Sequence, residues 1–246
     1  MAGGTGLSYS RISVMLVLAI DTSAPSGSLA VLDDQKLLGM VATDVQETYS
    51  SRLFRHLEFL LRELSLEMKQ MELYAVVAGP GSFTGLRVGL TAVKGWAEVH
   101  GKPIAAISGL EAVAAQVAGH AEWIAPVMDA RRGQIYGGLY RRSAGAPALE
   151  RQGDEVVMTA GEFLAELAVR TGGALPLFAT PTPAVLGEAL SASPLRGARV
   201  EQVSAVLAPV VGRLGWQRAQ RGEVVDALAL DAHYIRRSDA ELLWKG

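Results

Sequence analysis

The hydrophobic pattern at the start of the chain predicts three strands joined by short turns. Short apolar runs bounded by turn-forming residues are typical of buried strands. Three such runs follow one another, at residues 16–23, 27–34 and 36–44. The last two are separated by an Asp-Asp-Gln turn, so we expect an antiparallel meander.

A helix is predicted next, over residues 51–64, from leucines at helical spacing. Phe54 and Phe59 lie off this leucine stripe, so the helix is apolar on more than one face. Such a helix is either deeply buried or covers a partner as well as its own core. A strand at 73–79 and a helix of about 84–100 follow.

The order of elements then begins again. A strand at 102–109 and a short helix at 110–119 complete the first series. Another strand ends at Asp129 and leads through a turn into an alternating strand, which repeats the start of the chain. Meandering strands followed by alternating helices and strands match the ribonuclease H-like α/β plan. We therefore predict a duplicated α/β fold with two lobes.

The pattern is weaker in the second half. Thr159 is a predicted helix cap, and the proline-rich stretch 171–184 contains one predicted strand. A closing helix is predicted at about 204–221, bent or displaced near Pro209.

These elements divide the chain into three parts. Residues 1–14 are small and polar and are expected to form a disordered extension, with Met15 as an alternative start. The N-terminal lobe spans 15–107 and the C-terminal lobe spans 108–246. Whether the closing helix packs back on the N-terminal lobe is left open.

Composition narrows the classes of function. The chain has 246 residues, of which 50% are hydrophobic and 20% charged, and its net charge is −2. No basic field favours nucleic acid, so contact with RNA would be local or carried by a partner. The chain contains no cysteine, which excludes disulfides and thiolate zinc sites. Its four histidines form no HxxxH or HExxH pair, so no metal site is expected.

The early apolar run at 15–20 is only six residues long, too short to span a bilayer. We therefore expect no membrane association. A cytoplasmic location is expected because the absence of cysteine fits a reducing compartment.

The stretch GPGSFTGLR at 79–87 has the form of a phosphate-binding loop between a strand and a helix. Glycines permit the turn, Ser82 or Thr84 can cap the helix, and successive amides with the helix dipole can hold an anion. The P-loop pattern fails, however, because Thr84 stands where its second glycine would be and no lysine follows.

The first strand ends in Asp21, Thr22 and Ser23. In sugar-kinase and actin-like folds an aspartate at this point faces nucleotide phosphates and magnesium. Equally, these side chains could cap the turn before Pro25. With the loop, they define a candidate vestigial phosphate site: Asp21, Thr22, Ser23, Gly79, Pro80, Gly81, Ser82, Phe83 and Thr84.

A second polar cluster, of unknown role, comprises Asp129, Arg131, Gln134 and Tyr136. It lacks the histidine or second carboxylate that acid–base catalysis would need. The alternative is a solvated turn with a local ion pair.

Several motifs together resemble the TsaB family: LAIDTS, GPGSFTGLRVGL, ISGLEAVA, DARRGQIY and a late YIRR. The resemblance is strong from residue 15 to about 142 and thin beyond. It implies an actin-like, sugar-kinase-like fold without catalysis or cofactor of its own, in the machinery for tRNA threonylcarbamoyladenosine.

The resemblance also implies partners. A catalytic paralogue, TsaD, would form a heterodimer with this chain and transfer the threonylcarbamoyl group to an adenosine beside the anticodon. A TsaE-like ATPase would join the complex, and the chain would contact tRNA only within that complex. The chain alone could form a homodimer.

The partners are expected to meet through the helices at 51–64 and 84–100. Gly85 and Gly89 lie four residues apart and would allow a partner backbone to approach closely. The expected interface residues are Leu53, Phe54, Leu57, Leu61, Gly85, Arg87, Gly89, Val93 and Trp96.

The sequence departs from the family pattern at Ala78, Tyr49 and residues 179–184, where polar groups of a nucleotide site are lost. A small-molecule kinase or ATPase that uses Asp21 and the glycine loop remains the alternative. A protease is not supported, because no nucleophile–His–acid set is found.

Overall fold

The computed structural model describes residues 15–45, 49–143 and 149–235. The predicted N-terminal extension therefore lies outside the described residues. Two β-sheets, each with helices packed against it, account for most of the described chain.

The first sheet confirms the predicted meander. Its strands are β1 (Leu16–Asp21), β2 (Ser28–Asp33), β3 (Lys36–Ala42), β4 (Leu73–Gly79) and β5 (Ile104–Ser108), in the order β3-β2-β1-β4-β5. The first three strands pair antiparallel, whereas β4 and β5 continue the sheet in parallel.

Two long helices, α1 (Tyr49–Glu63) and α2 (Phe83–His100), cover one face of this sheet. Leu60 of α1 lies over Gly39 of β3, and Trp96 of α2 packs on Tyr74 of β4. Gly39 and Tyr74 lie on the same face of the sheet as Leu18, because the side chains of directly paired residues on neighbouring strands point to the same side. A short helix, α3 (Gly109–Ala114), then leads out of the sheet.

The second sheet repeats the strand order of the first. It contains β6 (Trp123–Asp129), β7 (Gln134–Gly137), β8 (Tyr140–Arg141), β9 (Glu150–Arg151), β10 (Val156–Thr159), β11 (Leu177–Thr180) and β12 (Val200–Gln202). Its main path is β10-β7-β6-β11-β12, with β7 antiparallel to β6 and to β10, and β11 parallel to β6 and to β12. When the strands on each main path are numbered along the chain, both sheets have the order 3-2-1-4-5. The duplicated ribonuclease H-like, actin-like fold is therefore confirmed.

The helices of the second half are α4 (Ala160–Arg170), α5 (Gly187–Ser191) and α6 (Ala208–Gln220). Thr159 caps α4 as predicted, because its hydroxyl accepts from the Glu162 amide while the Glu162 carboxylate accepts from the Thr159 amide. The predicted strand within 171–184 is β11.

The closing helix α6 returns to the first sheet and covers the face opposite α1 and α2. A Cβ built on Gly215 would stand 2.5 Å from the Ala75 Cβ, and one on Gly212 would stand 3.2 Å from that of Ala19. Pro209 lies in the first turn, where its missing N–H costs nothing, so the start of the helix is displaced to Ala208, which is the second of the two predicted alternatives. Among the described helices, none is long and apolar enough to cross a bilayer.

Candidate functional site

The end of β1 brings Asp21, Thr22 and Ser23 next to the glycine loop, but the carboxylate is enclosed. Asp21 is fully buried, and its Oδ1 accepts hydrogen bonds from the Ser23 amide at 2.9 Å and the Ser23 hydroxyl at 2.6 Å. Its Oδ2 has no hydrogen-bond partner within the described residues. Burial raises the pKa of Asp21, and the hydrogen bonds from Ser23 oppose that shift.

The concave side of the glycine loop is filled by the same turn. The Ser82 amide donates to the Ser23 carbonyl at 2.8 Å, and a Cβ on Gly81 would stand 2.6 Å from the Ser23 Cβ. Ser82, rather than Thr84, caps α2 by accepting from the Gly85 amide at 3.3 Å. The loop amides at Ser82 and Gly85 are therefore used within the chain, which argues against a phosphate cradle.

The outer side of the loop is covered by residues 231–235, which we call the C-terminal strap. The His233 amide donates to the Ala78 carbonyl at 2.7 Å, and a Cβ on Gly79 would stand 2.2 Å from the His233 carbonyl oxygen. Gly79 has a φ of +141°, which favours glycine. The cis Gly79–Pro80 peptide follows it. The contact of the strap with the glycine loop was not predicted, since the sequence shows only the YIRR motif and no periodic pattern there.

The turn between β1 and β2 packs against Gly85 and Gly89, the paired glycines of α2. A Cβ on Gly85 would stand 2.1 Å from the Thr22 carbonyl oxygen, and one on Gly89 would stand 2.4 Å from the Thr22 hydroxyl. The expected opening for a partner backbone is therefore filled by Thr22, and this part of the interface prediction is corrected.

Burial divides the other expected interface residues into two groups. Leu53, Leu57, Leu61 and Val93 belong to the core of the chain itself, because the leucine stripe faces the sheet. The assignment of Leu57, Leu61 and Val93 to a partner surface is corrected accordingly, whereas Leu53 also lines the groove described next. Phe54, by contrast, is 61% exposed, Arg87 is exposed and Trp96 is half-buried.

These exposed residues share a groove between α1 and α2, with a volume of about 670 Å³. We call it the α1–α2 groove. It is lined by Ser50, Leu53, Phe54, Phe83, Thr84, Arg87, Val88, Thr91, Ala92, Gly95 and Trp96.

The sequence analysis did not identify most of the α2 residues of this lining as interface residues. They form two adjacent rows at spacing four, Thr84-Val88-Ala92-Trp96 and Arg87-Thr91-Gly95. Such rows share one helix face, and this spacing was the signal that could have revealed them.

Aromatic rings line one end of the groove and fix its shape. The Phe54 ring meets the Trp96 ring edge-on, with centroids 6.1 Å apart and an interplanar angle of 88°. Trp96 in turn rests on Tyr74, again with centroids 6.1 Å apart. Burial raises the pKa of Tyr74 to about 12. The edge-to-face contact with Trp96, which is itself supported by the tilted Tyr74 ring, holds Phe54 in place although the outer surface of Phe54 faces solvent.

At the other end, Arg87 is held between two aromatic residues. Its guanidinium carbon lies 3.8 Å from the Phe83 ring centroid, and its Nε donates to the Tyr234 hydroxyl at 3.2 Å. The Tyr234 ring also packs on Phe83, with centroids 5.0 Å apart. The C-terminal strap thus reaches the edge of the α1–α2 groove.

A buried carboxylate connects the strap with both halves of the fold. Oε1 of Glu155 accepts from the Ser108 hydroxyl at 2.5 Å and from the Tyr140 hydroxyl at 2.6 Å. Its Oε2 lies 3.4 Å from Nδ1 of His233. Burial and the neighbouring Glu155 raise the pKa of Tyr140 well above its usual value. This network is structural, because two hydroxyls from different halves of the fold donate to Oε1, while Oε2 has no hydrogen-bond partner within the described residues and faces His233.

The polar cluster at Asp129 is a hairpin turn between β6 and β7. Asp129 accepts from the Arg131 amide at 2.7 Å, and the two side chains form an exposed ion pair at 3.6 Å. The Gln134 amide donates to the Arg131 carbonyl, whereas Tyr136 is buried behind the turn. This geometry matches the solvated-turn alternative. Within the described ranges, no group of three or more potential metal ligands is found.

Comparison with known proteins identifies the family. The family model described as TsaD, tRNA N6-adenosine threonylcarbamoyltransferase, matches residues 30–209. The chain is 36% identical over 131 residues to the tRNA threonylcarbamoyladenosine biosynthesis protein TsaB of Bacillus subtilis, covering 53% of this chain and 57% of that protein. It is 32% identical over 126 residues to TsaB of Haemophilus influenzae, covering 50% of this chain and 52% of that protein.

These matches span little more than half the length of the curated relatives. A solved structure covers much more. YeaZ from Pseudomonas aeruginosa superposes with a TM-score of 0.73 and 26% identity, over 89% of this chain and 99% of that chain. Both sheets are therefore part of the likeness, and the chain belongs to the TsaB family, within the wider group of sequences that the TsaD model describes.

Proposed function

We propose that this chain serves tRNA threonylcarbamoyladenosine biosynthesis as a non-catalytic subunit. In this proposal it binds a TsaD-like catalytic subunit through the α1–α2 groove and activates it. The observation that carries the proposal is the groove itself, an apolar surface between two helices with Phe54 61% exposed at its rim.

Leaving this apolar surface in water has a cost in free energy. Burying an exposed phenylalanine contributes roughly 1.5–3 kcal/mol, and aromatic residues dominate protein interfaces. Phe54 and Trp96 are already held in one arrangement by their edge-to-face contact, so little side-chain freedom remains to be lost on binding. A third helix is the natural occupant of a groove between two helices.

Catalysis is assigned to the partner because the residues of the candidate phosphate site serve the fold here. Asp21 and Ser23 are buried, and the loop amides at Ser82 and Gly85 are bonded within the chain. The kinase or ATPase alternative requires these same groups to face a nucleotide, and the geometry does not favour it. A TsaE-like ATPase and the tRNA would then meet this chain only within the complex.

The same groove accounts for the expected homodimer. When the chain is alone, a second copy can cover Phe54 and Trp96, and the catalytic partner would displace it. Self-association and heterodimer formation should therefore compete, since both use one surface.

Size-exclusion chromatography with light scattering tests the proposal, on the chain alone and mixed with the TsaD-like protein of the same genome. Phe54→Glu places a charge in the groove and should abolish the heterodimer. Phe59→Glu is the matched control, because Phe59 is 48% exposed on the same helix but does not line the groove. A heterodimer that survives Phe54→Glu unchanged, or that never forms with the wild-type chain, would contradict the proposal.

A further inference from the structure

Arg87 is the only charged side chain in the described lining of the α1–α2 groove. The lining has no carboxylate to neutralise it, and the remaining side chains are apolar or small. A positive charge at the rim of an apolar surface favours an occupant that brings a negative charge to that point.

The guanidinium of Arg87 is also fixed in orientation before any partner arrives. Phe83 supports its face, and Tyr234 accepts from Nε, the nitrogen nearest the side-chain stem. Within the described part of the chain, no acceptor contacts its two terminal nitrogens. A planar fork with both terminal nitrogens available is the geometry that binds a carboxylate by two parallel hydrogen bonds.

We propose that the segment which fills the groove is an amphipathic helix with an aspartate or glutamate at one end, and that Arg87 binds this carboxylate. This inference rests on the proposed function, and it specifies the chemistry that the partner must present. Because Arg87 is already ordered by Phe83 and Tyr234, the pair forms at a lower cost in side-chain entropy than a free surface arginine would require.

The dimensions of the groove fit this occupant. From Thr84 to Trp96 the groove follows α2 for about 18 Å, or roughly three helical turns at 1.5 Å per residue. A helix of that length would place two or three apolar side chains against Val88, Ala92 and Trp96 and one polar side chain at Arg87. The carboxylate would also lie near the first turn of α2, where the helix dipole favours negative charge.

RNA is the less suitable occupant of this site. A nucleic-acid backbone is held by several cations, whereas the described lining provides one. The apolar side chains of α2 and the edge of Phe54 offer nothing to a run of phosphates.

The test measures the affinity of the chain for the TsaD-like protein of the same genome by isothermal titration calorimetry at low and high salt. Arg87→Met keeps the aliphatic stem and removes the fork, and it should weaken binding about 10-fold or more at low salt. The loss should shrink at high salt. Arg87→Glu should bind more weakly still.

Two further variants separate the charge from its support. Tyr234→Phe keeps the ring on Phe83 but removes the acceptor for Nε, and it should weaken binding a few-fold. Arg62→Glu, at an exposed position of α1 outside the groove, makes the same change of charge as Arg87→Glu and should leave the affinity unchanged. Acidic residues of the partner are then changed to lysine one at a time, and one of them should restore binding to Arg87→Glu.

Different failures have different meanings. If wild type binds, Phe54→Glu does not and Arg87→Met binds as wild type does, the groove is the docking site and the carboxylate inference is overturned. If Arg87→Met affects only tRNA binding, or only self-association of the chain, RNA or a second copy is the occupant and the inference is equally overturned. If the wild-type chain does not bind the partner, the proposed function fails first.

Discussion

Gly85 and Thr22 hold each other in a reciprocal contact. The Thr22 hydroxyl donates to the Gly85 carbonyl at 2.7 Å, while a Cβ on Gly85 would stand 2.1 Å from the Thr22 carbonyl oxygen. The end of β1 thus fixes the start of α2 through backbone groups. Because α2 forms one wall of the α1–α2 groove, the turn that resembles a phosphate site positions that wall.

This contact predicts that Gly85→Ala destabilises the fold. The added methyl group meets backbone that cannot move independently, so we expect a loss of about 3 kcal/mol in the free energy of unfolding. Gly95→Ala is the control on the same helix, because nothing lies within 4 Å of its Cβ position, and it should be neutral or slightly stabilising. Urea unfolding of both variants measures the difference. Equal stabilities would contradict the proposed role of Thr22.

A similar test applies to the closing helix. Gly215→Ala would bring a methyl group within 2.5 Å of the Ala75 Cβ in the sheet, and we expect a loss of about 2 kcal/mol. Gly161→Ala in α4, where nothing lies within 4 Å, is the matched change without a contact. If Gly215→Ala unfolds at the wild-type temperature, α6 does not pack on β4 as described.

The raised pKa of Asp21 predicts a pH dependence of stability. In the unfolded chain its value is near 3.8, and in the folded chain burial raises it, so the folded state holds the proton more tightly. The contribution of Asp21 to stability is therefore present below pH 3.8 and is lost as the pH rises through the folded-state pKa.

Asp21→Asn removes this titration and keeps an oxygen that can accept from Ser23. The variant should match wild type near pH 4 and exceed it by about 1 to 3 kcal/mol at pH 8, because a buried charge is no longer formed. Urea unfolding at a series of pH values measures the difference. A variant that is less stable than wild type at pH 8 would contradict the enclosed position of Asp21.

The buried carboxylate of Glu155 gives a fourth prediction. Glu155→Leu leaves the hydroxyls of Ser108 and Tyr140 without their acceptor, and it should cost about 3 kcal/mol of stability. Asp154→Leu changes the exposed neighbouring carboxylate and should have an effect within about 0.5 kcal/mol. Thermal unfolding compares the two, and similar losses would show that Glu155 is not the acceptor that joins the two halves.

The succession of strands and helices along the first half of the chain could be predicted from the sequence, because it depends on local periodicity. The strand of residues 73–79 and the cap at Thr159 were predicted at the positions where they are found. The duplication could also be predicted, since each half begins with a strand that ends in an aspartate.

The site was less predictable, because helical spacing does not show whether a helix face packs on the chain's own core or on a partner. The spacing of Gly85 and Gly89 indicated a close approach, but only the fold shows that Thr22 makes it. Leu53 and Val93 were apolar at the right spacing for either role, and the sheet buries them. The strap at His233 and Tyr234 depends on contacts more than 140 residues apart in the chain, such as the one with Arg87.

Docking through the α1–α2 groove can be tested by amide hydrogen exchange of the chain, with and without its TsaD-like partner. We expect slower exchange in α1 and α2 upon binding, confined to the segments that line the groove, and little change in α6 or in the hairpin at Asp129. Protection centred on α6 or on that hairpin, with α2 unchanged, would contradict docking through the α1–α2 groove.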